Sequence, residues 1–178
     1  MSVMKTNNSN GNFLIFDLGG GTLDIAIAES MSGKVNLLAH GGIAMCGGRD
    51  FDRLVMNNIV IPWLKENYKL PDNFRTEEKF QKLMRIASYK TECAKIELSS
   101  DEIVNIEGET GIEDLNGEEI YLDIELKRSV YDELIDGLIM EAVTAARETI
   151  EKAGLTPQDI DRIVFIGGPT NYKSLRDK

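Results

Sequence analysis

Apolar residues recur along this chain in two rhythms. Residues 12–17 form a short apolar run, and in residues 22–28 Leu23, Ile25 and Ile27 alternate with Asp24, Ala26 and Ala28. A period of two marks a half-buried strand. The pair therefore predicts a hairpin closed by Gly19, Gly20 and Gly21. Residues 34–39 predict a third strand after a turn at 31–33, and Gly41, Gly42, Gly47 and Gly48 predict an irregular connection beyond it. From Asp50 the period becomes helical: Phe51, Leu54, Val55, Ile59 and Trp63 return at helical spacing, and Pro62 predicts a kink.

A second helix is expected over residues 76–98, with Phe80, Leu83, Ala87, Ala94 and Leu98 inward. Two strands follow at 103–109 and 119–126, joined through a turn at Asn116 and Gly117. Ser129 is placed to cap a long helix ending near Ala153, with Gly154 as its terminating residue. Thr156 and Pro157 predict a short helical turn, residues 162–166 a buried strand, and the last residues the start of another helix. The helix pair and strand pair read as an insertion within an α/β layer. The polar, Asn-rich residues 1–11 read as a flexible leader without the apolar core of a signal peptide.

Composition narrows the chemistry. The 178 residues carry a formal net charge of −10, which argues against a nucleic-acid partner. No run reaches the ~18 apolar residues of a membrane helix. The two cysteines, Cys46 and Cys93, lack metal-ligand spacing and read as reduced thiols of a cytoplasmic protein. The single histidine, His40, reads as structural. One histidine leaves almost no material for a Ser-His-Asp or Cys-His mechanism.

The chemistry concentrates in the first hairpin, FDLGGGTLD, residues 16–24. A glycine turn lets an anion approach its backbone N–H groups, because no Cβ stands in the way. The Thr22 hydroxyl is suited to a terminal phosphate oxygen, and Asp17 to water around a magnesium ion. A plain β-turn accounts for the same residues. Neither a Walker loop nor a Rossmann fingerprint is present, since a strand rather than a helix follows the glycines.

FLIFDLGGGTLDIAIAE resembles the second phosphate-binding hairpin of the seventy-kilodalton heat-shock chaperones, members of the actin-like ATPases. GGRDFDRLV (residues 47–55) resembles their Gly-Gly-acidic-Asp-Phe-Asp segment, with Arg49 where an acidic residue is usual. TECAKIELSS (91–100) resembles their nucleoside-facing helix end, and DIDRIVFIGGPTNYKSLRD (159–177) their adenosine motif. The four occur in the family's order.

The resemblance implies an α/β fold: a ribonuclease-H-like base from residues 12–48 and 127–178, with an inserted α+β subdomain at 49–126. It implies ATP or ADP with Mg2+ as ligands. Asp17 would stand near the magnesium and the attacking water, and Gly19, Gly20, Gly21 and Thr22 would hold the β- and γ-phosphates. Gly47 and Gly48 would lie by the phosphates, Gly167 and Gly168 beside the nucleoside. Glu92 and Lys95 would reach the ribose and Ser99 the base. The family clamps adenine between two arginines, where this chain has Ile96 and Asn171.

No first phosphate loop precedes Phe13, so the chain is expected to be the second lobe of a larger ATPase, inactive alone. The implied partners are the first lobe, unfolded protein clients, and J-domain and nucleotide-exchange cochaperones. A degenerate actin-like interaction module and a sugar-kinase or cell-division relative are the alternatives.

Overall fold

The computed structural model describes residues 10–177. Six strands, five α-helices and three short π- or 3-10-helical segments appear among them, in a mixed α/β arrangement. They fall into two compact units: residues up to Gly48 together with those from Gly137 onward, and Arg49–Asp136.

The first unit is built on a four-stranded sheet of order β3-β2-β1-β6. β1 (Gly11–Leu18), β2 (Thr22–Met31) and β3 (Lys34–Ala44) form an antiparallel meander, and β6 (Arg162–Ile166) lies parallel to β1. Leu14, Phe16 and Leu18 stand opposite Ile27, Ile25 and Leu23, and all six are buried. At ~1.5–3 kcal/mol for each buried large apolar side chain, this face is the unit's main source of stability. The C-terminal part of α4 (Arg128–Lys152) covers it, burying Ala142, Ala146 and Ile150.

Several expectations change here. The leader expected over residues 1–11 falls mostly outside the described residues, but Gly11 already belongs to β1 and Asn10 Oδ1 accepts the Ser32 N–H at 2.9 Å. Gly41 and Gly42 are strand residues of β3, not connection. They are small because a Cβ on Gly41 would strike the Thr149 hydroxyl, and one on Gly42 the Leu23 carbonyl. β6 is not a buried strand: Ile163 and Ile166 are exposed, because β6 is the last strand of its sheet and has only one strand neighbour.

The long helix α4 starts at Arg128, so Ser129 lies inside it rather than capping it. Arg128 makes the tie instead. Its N–H donates to Glu102 O, and its guanidinium reaches Leu98 O and Asp101 O. At the other end Gly154 has φ +75°, and the N–H groups of Gly154 and Leu155 close onto Glu151 O and Ile150 O. That is the glycine-terminated ending expected. Thr156 follows, its N–H and hydroxyl both donating to the Asp159 carboxylate.

In the second unit α1 (Gly48–Val55, of which residues from Arg49 belong here) and α2 (Ile61–Asn67) are joined by a π-helical turn, Met56–Val60. Pro62 has no N–H to continue an α-helical ladder, and the wider turn accommodates it, with Ile61 N–H donating to Met56 O. The extra residue shifts the apolar phase. Met56, Val60, Ile61 and Leu64 are buried, whereas Ile59 and Trp63 are only half-buried. α3 (Glu78–Glu97) buries its expected inner residues, and packs on the hairpin of β4 (Ile103–Glu113) and β5 (Glu119–Lys127).

The β4–β5 loop is organised by Asp114. Its carboxylate accepts N–H groups from Lys69, Asn116 and Glu118, and Gly117 follows at φ +82°. Burial works to raise this carboxyl, but the surrounding backbone N–H groups outweigh it and hold it below the ordinary carboxylate range. A carboxyl depressed in the folded state stabilises above its unfolded pKa of ~3.9 and loses that contribution as pH falls through its folded value. Asp114→Asn should therefore lower the urea midpoint at pH 7. The gap from the unsubstituted chain should narrow as pH falls below about 4. A gap independent of pH would remove this role for the charge.

Candidate functional site

The glycine segments of the first unit meet around the β1–β2 turn. Leu18 and Leu23, both buried, pair at its base, and Gly19 N–H donates to Thr22 O at 2.9 Å. Gly20 and Gly21 form the tip. The chain returning from β3 lies against it: Met45 N–H reaches Gly21 O, and Gly48 N–H reaches Gly19 O, each at 3.0 Å. Gly47 sits so close that a Cβ there would be 2.5 Å from Gly21 N and 2.7 Å from Gly20 C. Backbone cannot yield as a flexible side chain can, so only glycine fits.

Gly167 approaches from the other side. The parallel register of β6 with β1 sets Ile166 beside Asp17, and the next residue, Gly167, turns back at φ +95°. A Cβ on it would overlap Leu18 O. Gly168 opens a short 3-10 turn that ends at Asn171, and Thr170 hydroxyl donates to Gly167 O at 2.7 Å. Asn171 is exposed, its Oδ1 3.4 Å from Arg176 Nη2. Two segments far apart in sequence thus converge on one glycine turn.

Asp17 and Asp24 face each other across the β1–β2 ladder next to the turn. Asp17 is half-buried and Asp24 exposed, with Thr22 Oγ1 3.4 Å from Asp24 Oδ2. Like charges directly opposite destabilise a ladder, and a divalent cation would relieve the repulsion. Two carboxylates and a hydroxyl are hard oxygen donors that fit magnesium, which keeps several waters and completes its shell with phosphate oxygens. Asp24 had no role in the sequence reading; its signal was its place one pleat from Thr22, on the same face.

In the second unit Glu92 and Lys95 stand on α3, and Ser99 lies just past the helix end at Leu98. Glu92 and Ser99 are exposed, and the Ser99 hydroxyl donates to Ile96 O at 2.6 Å. Lys95 pairs with Asp52, its Nζ 2.7 Å from Asp52 Oδ1, with both side chains nearly buried. Burial pushes the Asp52 carboxyl up, Lys95 draws it back, and Glu92 adds a smaller upward push. Asp52 is a second residue that sequence reasoning missed, though it lies in the GGRDFD segment. Ile96 is 61% exposed, an apolar surface on the same helix end. His40 is exposed on β3, and Cys46 and Cys93 are not joined in a disulfide.

The model of the Hsp70 protein family matches residues 3–177. The chain belongs to the Hsp70 family. Among its relatives is Chaperone protein DnaK 1 of Synechococcus sp., 34% identical over 163 residues. That match covers 90% of this chain and 21% of the relative, so the chain spans about a fifth of that relative's length. Hsp70 membership implies the actin-like ATPase fold. Among the described residues no helix is long and apolar enough to cross a membrane.

The glycine contacts are separable by substitution. Gly47→Ala and Gly167→Ala should each lower the thermal midpoint clearly, since both force backbone apart and Gly167 also has positive φ. Gly168→Ala should leave it nearly unmoved, a stability change below about 0.5 kcal/mol, because nothing lies within 4 Å of the added carbon. Equal midpoints for all three variants would contradict the packing described.

Proposed function

We propose that this chain is the second lobe, the ATP-binding half, of the nucleotide-binding domain of an Hsp70 chaperone ATPase. The single observation that supports this most is the convergence of Gly47 and Gly167 on the Gly19–Gly21 turn. The base would comprise residues 12–48 and 127–178, with 49–126 as the inserted subdomain.

The Gly20–Gly21 tip and the Thr22 hydroxyl bind the β- and γ-phosphates, the Gly19 N–H being given to Thr22 O, and Gly47 and Gly48 keep their surface free of side chains. Asp17, with Asp24 across the ladder, would hold the hydrated magnesium and orient the water that attacks the terminal phosphate. Bound magnesium neutralises charge on the phosphates. Glu92 and Lys95 take the ribose hydroxyls, Lys95 held in place by Asp52. Ser99, Gly167, Gly168 and Asn171 border the nucleoside. In the whole protein this ATPase would drive the folding of client proteins in the cytoplasm, with J-domain and nucleotide-exchange cochaperones as partners.

Phosphoryl transfer depends on groups preorganised all round the transferring phosphate. The first lobe would supply half of them. The isolated chain should therefore show no ATP hydrolysis above background, and a dissociation constant above roughly 1 μM, that is, less than ~8 kcal/mol. In the full-length protein, Thr22→Ala should slow single-turnover hydrolysis by on the order of 10² while changing ATP affinity much less. Unchanged turnover would strip Thr22 of its role.

A second reading, a degenerate interaction module, draws on Ile96 and Asn171 standing where the family has its adenine-clamping arginines. An arginine stacked on a base contributes ~0.5–2 kcal/mol. Asn171→Arg should tighten adenine-nucleotide binding several-fold, and Ile96→Arg less, because Ile96 already offers apolar contact. The unsubstituted site should distinguish poorly between ATP and GTP in competition titrations. A strong ATP preference unmoved by Asn171→Arg would place the base elsewhere.

A further inference from the structure

We propose that a groove in the second unit binds a phosphate group carried on a ribose hydroxyl of the nucleotide. This rests on the nucleotide-binding reading above and names a ligand class for it. The groove, about 370 Å³, runs between the α1–α2 helix, the loop carrying Arg75, and α3. Arg49, Arg53 and Arg75 line it, with Asp52, Ser88 and Glu92. Three guanidinium groups line this one groove, in a chain of formal net charge −10. Asp52 is moreover already paired with Lys95.

Arg53 and Arg75 are held in place. Arg49 and Arg53 lie one turn apart on α1, and Asp50 Oδ1 accepts from Arg53 Nη2 at 2.6 Å. Arg75 Nη2 donates at 3.3 Å to Oδ1 of Asn57, a residue of the π-helical turn that accommodates Pro62. A planar guanidinium presents paired donors that match phosphate oxygens. An acidic residue is usual in the family at the place of Arg49.

Glu92 locates the groove relative to the ribose. Ser88, Glu92, Lys95 and Ser99 follow one another at helical spacing along one strip of α3 and its end. The family roles put the base at Ser99 and the ribose at Lys95 and Glu92. The groove begins at Glu92 and continues past Ser88, away from the base. A substituent on the ribose hydroxyl beside Glu92 enters it. Glu92 at the entrance opposes the added charge, and the three guanidinium groups outnumber it.

The 178-residue chain would be titrated calorimetrically at low salt with AMP, adenosine 2′,5′-bisphosphate and adenosine 3′,5′-bisphosphate, with ADP as reference. One bisphosphate should bind about fivefold or more tightly than AMP, and which one identifies the hydroxyl. The advantage should shrink as salt rises. Arg49→Gln combined with Arg75→Gln, both exposed positions, should abolish the advantage and leave AMP affinity and the circular dichroism spectrum unchanged. Equal affinities for AMP and both bisphosphates, with ADP still bound, would overturn this inference alone. An advantage that survives the double substitution would also overturn it. Failure to bind any of the four nucleotides would overturn the nucleotide reading as well.

Discussion

Everything proposed for the first unit depends on one contact: the backbone of Gly47 lying directly on the backbone of the Gly19–Gly21 turn. The turn belongs to a two-residue hairpin tip, a structure that tolerates many residues when it stands in water. Here it is pressed from one side by Gly47 and from the other by Gly167. The packing removes side chains from the surface where an anion would lie, and the bonds from Met45 and Gly48 hold the turn in one shape. A site for phosphate needs donors already in position, because reorganising them would consume binding energy.

Charge in the two units is handled by different means. In the first unit Asp17 and Asp24 are set opposite each other with no cationic side chain between them in the ladder, an arrangement suited to a metal ion. In the second unit Asp52 is buried, and Lys95 supplies the counter-charge from the neighbouring helix. Removing one partner of such a buried pair strands the other charge. Lys95 therefore has a structural task in addition to the ribose contact proposed for it, and a substitution there would change both.

Much of the fold was legible because its elements obey simple periods. The strict alternation of Ile120, Leu122, Ile124 and Leu126 announces β5, and all four are buried. The inner stripe of α3 and the ending at Gly154 were equally plain. Errors arose where a residue answers to something distant in sequence. Gly41 and Gly42 read as loop glycines, yet they are strand residues shaped by Thr149 and by the Leu23 carbonyl. Ser129 has the chemistry of a cap, but Arg128 reaches three carbonyls and starts the helix one residue earlier. Pro62 announced a kink and not the π turn that absorbs it. The same limit applied to the site. The glycines and Thr22 form a recognisable string, whereas Asp24 and Asp52 acquire meaning only through cross-strand and cross-helix partners.

The central claim is that the converging glycine segments cradle the phosphates of a nucleotide. It is tested most directly by titrating isotopically labelled chain with ADP and magnesium and following backbone amide resonances. The account predicts that the amides of Gly19, Gly20, Gly21, Thr22, Gly47 and Gly48 shift together with one saturation curve, and that omitting magnesium weakens it. Saturable binding that leaves those six amides unmoved would contradict it.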